Sequence, residues 1–524
     1  MSAPTDTITQ AAPTGVEPPA RGRESRSAAV LALARFEARE LLLQIPVLVF
    51  LALYVGYTGW RMFSGREGMD DFPVLHEVDR STQSAPLLLA IAVFVCVNRA
   101  VLRSRRQSTD RHFDILPMEQ WRRTVAHALS VLPFVAITAV VVGFQYTWAA
   151  LKPGAVGHGS PAELLVGPLV VLLAGVLGVL LARVIPVGFV APPFVIGGFV
   201  LTTLVSAATQ GKHWVSWLGP VVVEEGADPF PSELLGRPAA WHALYLTGLA
   251  VLVLCLAVLV SGGRTRLVKS VTVLALAATA VGVAGQSPDE PASLIAARTK
   301  ASVSPQKEQT CVRHGRSTYC AFPEWTGRTA DWAEAVDRIQ SRAGGSAGGE
   351  RLTVRQWIDA RYGLQDDAAI APSTTPGTVT VGTRWGGNRL PEFAVGVASV
   401  LVVGDEATAG RVCDARAVTI MWLALSTQPD PMKSLRDVRL DDSIEGSAIA
   451  LTPTDSVSMS AQQTTVVREL LQKPHYSVAA KVKAHWTELT SAKTPTARVA
   501  ELLGVPAGGK GTAADSGSGS CEEE

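Results

Sequence analysis

Long apolar runs separated by short polar stretches fill the first half of the chain, and near Gln286 the pattern changes to charged and polar residues recurring every few positions. A bilayer core of roughly 30 Å needs about 20 mainly apolar residues for each helical crossing. Seven runs approach or meet that length: 45–63, 86–102, 125–149, 164–185, 187–208, 241–261 and 268–285. Unpaired backbone groups cannot face lipid, so each run is predicted to be a helix. The weakest is 268–285, short and rich in Ala; the other reading of it is an interfacial or soluble core helix.

Residues 287–504 are long enough for a folded domain with its own core. Within them 331–341 and 353–362 have amphipathic helical spacing, while 377–383 and the apolar run 393–403 read as strands. Helical periodicity returns at 413–425, 464–471, 478–489 and 497–503. The predicted fold class is therefore an α-helical polytopic membrane protein of about seven spans with a C-terminal soluble α+β domain. Residues 1–27, rich in Ala, Pro, Thr and Ser, and 505–524, mostly Gly, Ala and Ser, are predicted to be disordered tails.

Composition agrees with the pattern. The 524 residues are 48% hydrophobic and 18% charged, against about 25% charged in a soluble chain. The net charge of +1 removes the global electrostatic case for nucleic acid as a partner. Its distribution says more. Arg21, Arg23, Arg26, Arg35 and Arg39 precede the first run, Arg103, Arg105, Arg106, Arg111, Arg122 and Arg123 lie between the second and third, and Arg264, Arg266 and Lys269 lie between the last two. Alternate loops carry Asp70, Asp71, Glu77 and Asp79, or Glu224, Glu225, Asp228 and Glu233. The positive-inside rule then places the N-terminus in the cytoplasm of a plasma-membrane protein, and seven crossings put 287–504 outside. Residues 29–43 mix apolar and charged positions at helical spacing; they either lie in the inner interface or extend the first span.

Candidate chemistry is sparse. Apart from Arg61, Arg99 and Arg183, all near run ends, the spans carry few ionisable groups, which disfavours an ion-coupled carrier. GVPAGGK at 504–510 lacks the Ser or Thr that a phosphate-binding loop requires, no HExxH occurs, and His314 beside Cys311 and Cys320 lacks a convincing fourth metal ligand. No catalytic residue, metal or cofactor is expected. Cys311 and Cys320 flank VRHGRSTY, whose His314-Gly315 suits a tight turn, and outside the cell they can form a disulfide; Cys413 is the alternative partner for either.

The segment RSRRQSTDRHFDILPMEQWRRT, 103–124, is too charged for a span and too apolar for a solvated turn. Together with ARFEARELL before the first run and WHALYLTGL at the sixth, it resembles permease subunits of type-2 ABC transporters, particularly actinobacterial ones with an extra external domain; the likeness covers about residues 28–286. In that family the cytoplasmic loop between the second and third spans carries the coupling helix that engages the ATPase. By position this implies a coupling loop over 110–123, containing Asp110, Arg111, Asp114, Leu116, Pro117, Glu119, Trp121, Arg122 and Arg123. The resemblance implies an exporter permease, pairing with a copy of itself or a sister permease, embedded in membrane lipid and powered by a separate ATPase subunit. The competing expectation is a membrane-anchored extracytoplasmic sensor or envelope-interaction protein without transport activity.

Overall fold

The computed structural model describes residues 24–63, 72–103, 118–208, 213–222, 230–361, 370–382, 390–441 and 443–507. Helices dominate its first half: α1 (Glu24–Leu42), α2 (Ile45–Phe63), α3 (Leu75–Ser81), α4 (Pro86–Val101), α5 (Gln120–Leu129), α6 (Leu132–Ala150), α7 (Pro161–Val184), α8 (Ala191–Ala208), α9 (Ala239–Val260) and α10 (Arg266–Gln286). Among the described residues, six helical stretches are long and apolar enough to cross a membrane, with α3–α4 and α5–α6 each counting as one. This is one fewer than the seven runs predict. The 187–208 run is the difference: Pro186 and Gly188 keep the chain out of helix until Ala191, and of the helix that follows only the apolar stretch 191–205 enters that count.

Chain continuity nevertheless carries α8 through the thickness of the bundle. At one end, Arg103 after α4 pairs with Glu37 and Glu40 of α1, Thr124 of α5 bonds Ser261 after α9, and Asn98 near the close of α4 bonds the Gly178 carbonyl of α7. At the other end, Phe63 of α2 meets Trp148 of α6, Glu163 of α7 meets Gln83, and Gln286 closing α10 bonds the Trp217 carbonyl. The chain leaves the first end after Arg183 and is at the second by Trp217, so α8 makes the passage between them. We call these the basic end and the domain end.

Close packing comes from small residues. A Cβ on Gly178 of α7 would lie 2.5 Å from the Phe94 carbonyl oxygen of α4, and one on Gly282 of α10 would lie 2.6 Å from Tyr245 N of α9. Without side chains at these points the helix backbones approach directly, which in an apolar solvent replaces the missing hydrophobic drive. Asn98 adds a hydrogen bond to the Gly178 carbonyl at 3.2 Å. Outward positions are apolar and exposed, among them Val140, Phe144, Phe199 and Leu274. A belt of that size is at home in lipid and costly in water.

The C-terminal domain is α+β. It contains α11 (Ala292–Val303), the hairpin β1 (Thr310–His314) and β2 (Ser317–Ala321), α12 (Thr329–Gln340), β3 (Thr353–Gln356), β4 (Thr378–Val381), α13 (Leu390–Val403), α14 (Arg416–Leu425), the hairpin β5 (Ala448–Leu451) and β6 (Ser456–Met459), and α15 (Ala461–Leu471). The first sheet runs β1-β2-β3-β4, antiparallel in the hairpin and parallel thereafter. Gly315, at φ 56°, makes the hairpin turn. Cys311 and Cys320 are directly opposed in this hairpin and joined by a disulfide; Cys413 is held in a disulfide of its own.

Two predicted elements are of the other kind. The 393–403 run is the helix α13, in which every residue from Glu392 to Val402 is buried. A helix buried on all sides has no amphipathic period, and its Val-rich run reads as a strand. Conversely, 353–362 begins as strand β3, with Val354 and Gln356 facing inward at a period of two. The domain core also reaches further back than residue 287. Phe72, Val74, Val156, Phe230, Leu234 and Leu235, from three loops of the bundle, belong to the same buried cluster as Trp325, Trp332 and Trp422.

Candidate functional site

At the basic end, of the residues placed in the coupling loop, Asp110, Arg111, Asp114, Leu116 and Pro117 lie outside the described residues; Glu119, Trp121, Arg122 and Arg123 stand at the start of α5. Glu119 is extended, and its carboxylate accepts from Arg122 Nε at 2.9 Å on the exposed side. The Arg122 guanidinium lies 5.0 Å from the centre of the Trp121 ring. Trp121 packs against Gly263 in the α9–α10 turn, where a Cβ would lie 2.9 Å from the Trp121 Cβ. One turn on, the buried hydroxyls of Thr124 and Ser261 are 2.7 Å apart.

The first turn of α5 is thus clamped to the α9–α10 turn while Glu119 and Arg122 remain accessible. Pro133 has no amide hydrogen to continue the ladder, so α5 ends and α6 starts anew, and the pair crosses the bundle as one bent unit. Helix α1 packs on α5, has Ala34, Ala38 and Leu41 buried, and is broken from α2 at Leu43 and Gln44. Its Glu37 is buried beside Arg103 at 3.6 Å; burial holds this carboxyl above the usual range, against the pull of Arg103.

At the domain end lies a buried polar junction that the sequence reading did not assemble. His76, Asp79 and Gln83, spaced at i, i+3 and i+7 from α3 into the turn before α4, are each no more than 4% exposed. Gln83 Nε2 donates to Glu163 in the first turn of α7. Arg80 Nη1 is 3.8 Å from the other Glu163 oxygen, while its Nη2 donates to the Val222 carbonyl at 3.2 Å and the guanidinium lies 5.6 Å from the Trp217 ring centre. Asp79 accepts from Ser160 N at 2.7 Å.

The network continues into the C-terminal domain. Ser232 Oγ is 3.2 Å from His76 Nδ1, and Ser232 N donates to the Glu324 carboxylate at 3.2 Å. Arg237 Nη1 donates to the His76 carbonyl at 2.8 Å. A separate pair ties α9 to α10: His242 Nδ1 is 3.1 Å from Gln286 Oε1, and Gln286 Nε2 donates to the Trp217 carbonyl at 2.8 Å. Low dielectric makes each of these contacts stronger than in water and makes losing a partner costly.

Three bundle hairpins and the C-terminal domain are therefore joined by hydrogen bonds as well as by the shared apolar core. The helical spacing of His76, Asp79 and Gln83 was the available signal for the junction. Among the described residues no group of three or more His, Cys, Asp and Glu side chains is arranged to hold a metal ion. No protein-family model, curated protein or solved structure matches the chain.

Proposed function

We propose that this chain is the membrane-spanning subunit of an ATP-driven exporter, multi-pass in the plasma membrane, with its basic end in the cytoplasm and its C-terminal domain outside. The observation that carries the reading is the α5–α6 unit. Its first turn presents Glu119 and Arg122 at the basic end, its flank is clamped to the α9–α10 turn, and its far end reaches the domain end. A separate ATP-binding cassette subunit docking at 110–123 would have a lever through the bundle. ATP chemistry belongs to that partner, and a second copy or a sister permease completes the translocation path.

Charge placement supports the orientation. Arg35, Arg39, Arg103, Arg122, Arg123, Arg183, Arg264, Arg266 and Lys269 all belong to the basic end, as the positive-inside rule requires of a cytoplasmic face. The ionisable groups of the domain end are tied into hydrogen bonds and an ion pair, which fits a structural junction better than a relay through the bilayer.

Co-purification of the full chain with a co-expressed ATP-binding cassette subunit, sought in the neighbouring genes, tests the proposal. Capture of that subunit is expected from wild type, with a loss of about tenfold for Glu119→Lys/Arg122→Glu, as two reversed charges at a polar contact imply. No capture by wild type, or capture indifferent to the reversal, overturns the docking. The second reading, an envelope-interaction protein without transport, draws on the sharing of the C-terminal domain's core by three loops of the bundle.

A further inference from the structure

Strand β1 ends the first sheet of the C-terminal domain: β2 lies on one side of it, and its other main neighbours are α12 and residues 323–328. The pairing register decides which of its backbone groups are used. His314 and Ser317 flank the two-residue turn, where the closing pair of a hairpin is hydrogen-bonded, so Val312–Tyr319 and Thr310–Ala321 are bonded pairs as well. Cys311–Cys320 and Arg313–Thr318 are the alternate pairs, whose N–H and C=O groups point away from each other. Thr318 N accordingly donates at 2.9 Å to the Leu352 carbonyl on the far side of β2. Cys311 and Arg313 therefore aim their N–H and C=O groups outward from the sheet. Both residues are exposed, and among the described residues nothing bonds them on that side.

An open edge of this kind is normally blunted by proline, a bulge, a covering loop or charge. Among the described residues β1 has only charge. The stretch from Thr310 to Ser317 holds Arg313 and Arg316 and no carboxylate. The Arg313 guanidinium has no described partner, and that of Arg316 reaches only the Gly349 carbonyl, at 3.5 Å. Pairing with β1 of a second copy, antiparallel about Val312, would set two Arg313 side chains diagonally on one face, where like charges repel. A strand bearing carboxylates meets the opposite sign at the same place. The Cys311–Cys320 disulfide fixes β1 on β2, so the edge is ordered before anything pairs with it. Alternating N–H and C=O groups are the complement of another extended backbone, whereas a phosphate, which only accepts, could use no more than the N–H half.

We infer that β1 is a docking edge for an extended acidic peptide segment of a partner protein, which joins the sheet as a fifth strand with a carboxylate side chain opposite Arg313. Backbone bonds to Cys311 and Arg313 supply affinity, and Arg313 with Arg316 selects the charge of the incoming strand. The assignment rests on neither transport nor an ATPase.

The test is fluorescence anisotropy with the full chain in detergent and three short labelled peptides: one alternating glutamate and valine, one alternating lysine and valine, and the glutamate peptide methylated on every backbone nitrogen. The glutamate peptide is expected to bind saturably, and the other two about tenfold more weakly or worse. Arg313→Gln keeps the outward N–H and should weaken the glutamate peptide about fivefold. Arg313→Pro also removes that N–H while leaving the bonds to β2 in place, and should weaken it by more than about tenfold. Lys493→Gln, exposed and outside both sheets, should change nothing. Equal binding of the acidic and basic peptides, or binding of neither, overturns the edge. Methylated and unmethylated peptides binding alike, or a Lys493→Gln loss as large as that of Arg313→Gln, overturns it in favour of general charge attraction. A dimer that Arg313→Pro dissociates overturns the partner assignment in favour of a second copy. Should Arg313→Pro fail to fold, the contrast between the methylated and unmethylated peptides on wild type decides alone.

Discussion

Replacing Glu163 by Leu tests whether the domain-end junction holds the bundle together. Glu163 is 3% exposed, with the Gln83 amide on one oxygen and Arg80 at 3.8 Å from the other. Leucine roughly keeps the volume but leaves the Arg80 guanidinium, in a side chain only 12% exposed, beside an apolar group. It also strands the Gln83 amide. Breaking a buried pair from one side costs about 3–5 kcal/mol, and a stranded buried polar group about 1–3 kcal/mol. Arg80 keeps the Val222 carbonyl and the Trp217 ring, so the expected loss lies at the low end, about 3 kcal/mol, or roughly two decades in the unfolding equilibrium.

The double variant Arg80→Met/Glu163→Leu removes the stranded charge as well. Apolar replacement of a whole buried pair is about neutral, so the part of the loss that comes from the stranded charge should return while the cost of the unpartnered Gln83 amide stays. Unfolding of the full chain in one detergent gives the energies, and hydrogen exchange over residues 217–222 locates the damage. A single variant within about 0.5 kcal/mol of wild type, or a double variant no more stable than the single, would refute the account of the junction.

Four further outcomes are expected. Gly178→Val drives a side chain into the Phe94 carbonyl, 2.5 Å from where the Cβ would sit, and should lower stability by about 1–3 kcal/mol in the same assay, whereas Ala280→Val, exposed on α10, should not. Cys311→Ser opens a ten-residue loop and should cost about 2.5 kcal/mol, seen as a lower unfolding temperature under non-reducing conditions. In intact cells an impermeant thiol reagent should label Asp289→Cys but not Arg266→Cys; equal labelling sinks the assigned orientation. Glu406, 4% exposed, is raised above the usual carboxyl range by burial despite donors from Ser373 and Thr380. A raised folded-state value means the native chain holds the proton more tightly, so this contribution is full at acid pH and is lost as pH rises through the folded value. Glu406→Gln should flatten that part of the stability–pH curve.

The crossing helices were legible because lipid demands long apolar runs whatever their neighbours, and 45–63 coincides with α2 to the residue. The C-terminal domain was less legible wherever burial was complete. Phe393 to Val402 offers no polar face to fix a period, so composition pointed to a strand where packing on all sides produces α13. The α8 run was overextended at its start because Val187, Phe189 and Val190 continue the apolar pattern while Pro186 and Gly188 keep them out of the helix. The domain-end junction escaped for a different reason. His76, Asp79 and Arg80 look like loop residues between two apolar runs, and only the fold brings Glu163, 80 residues from its partner Gln83, against them.

The loops that lend Phe72, Val74, Val156 and Phe230 to the C-terminal core impose an order on assembly. These residues are synthesised well before residues 310–505, which supply most of the surfaces they pack against. During synthesis the bundle's first hairpins must wait with these side chains uncovered until the rest of the chain has been made. A ribosome stalled after α10 would leave a bundle that is inserted yet unsealed at the domain end.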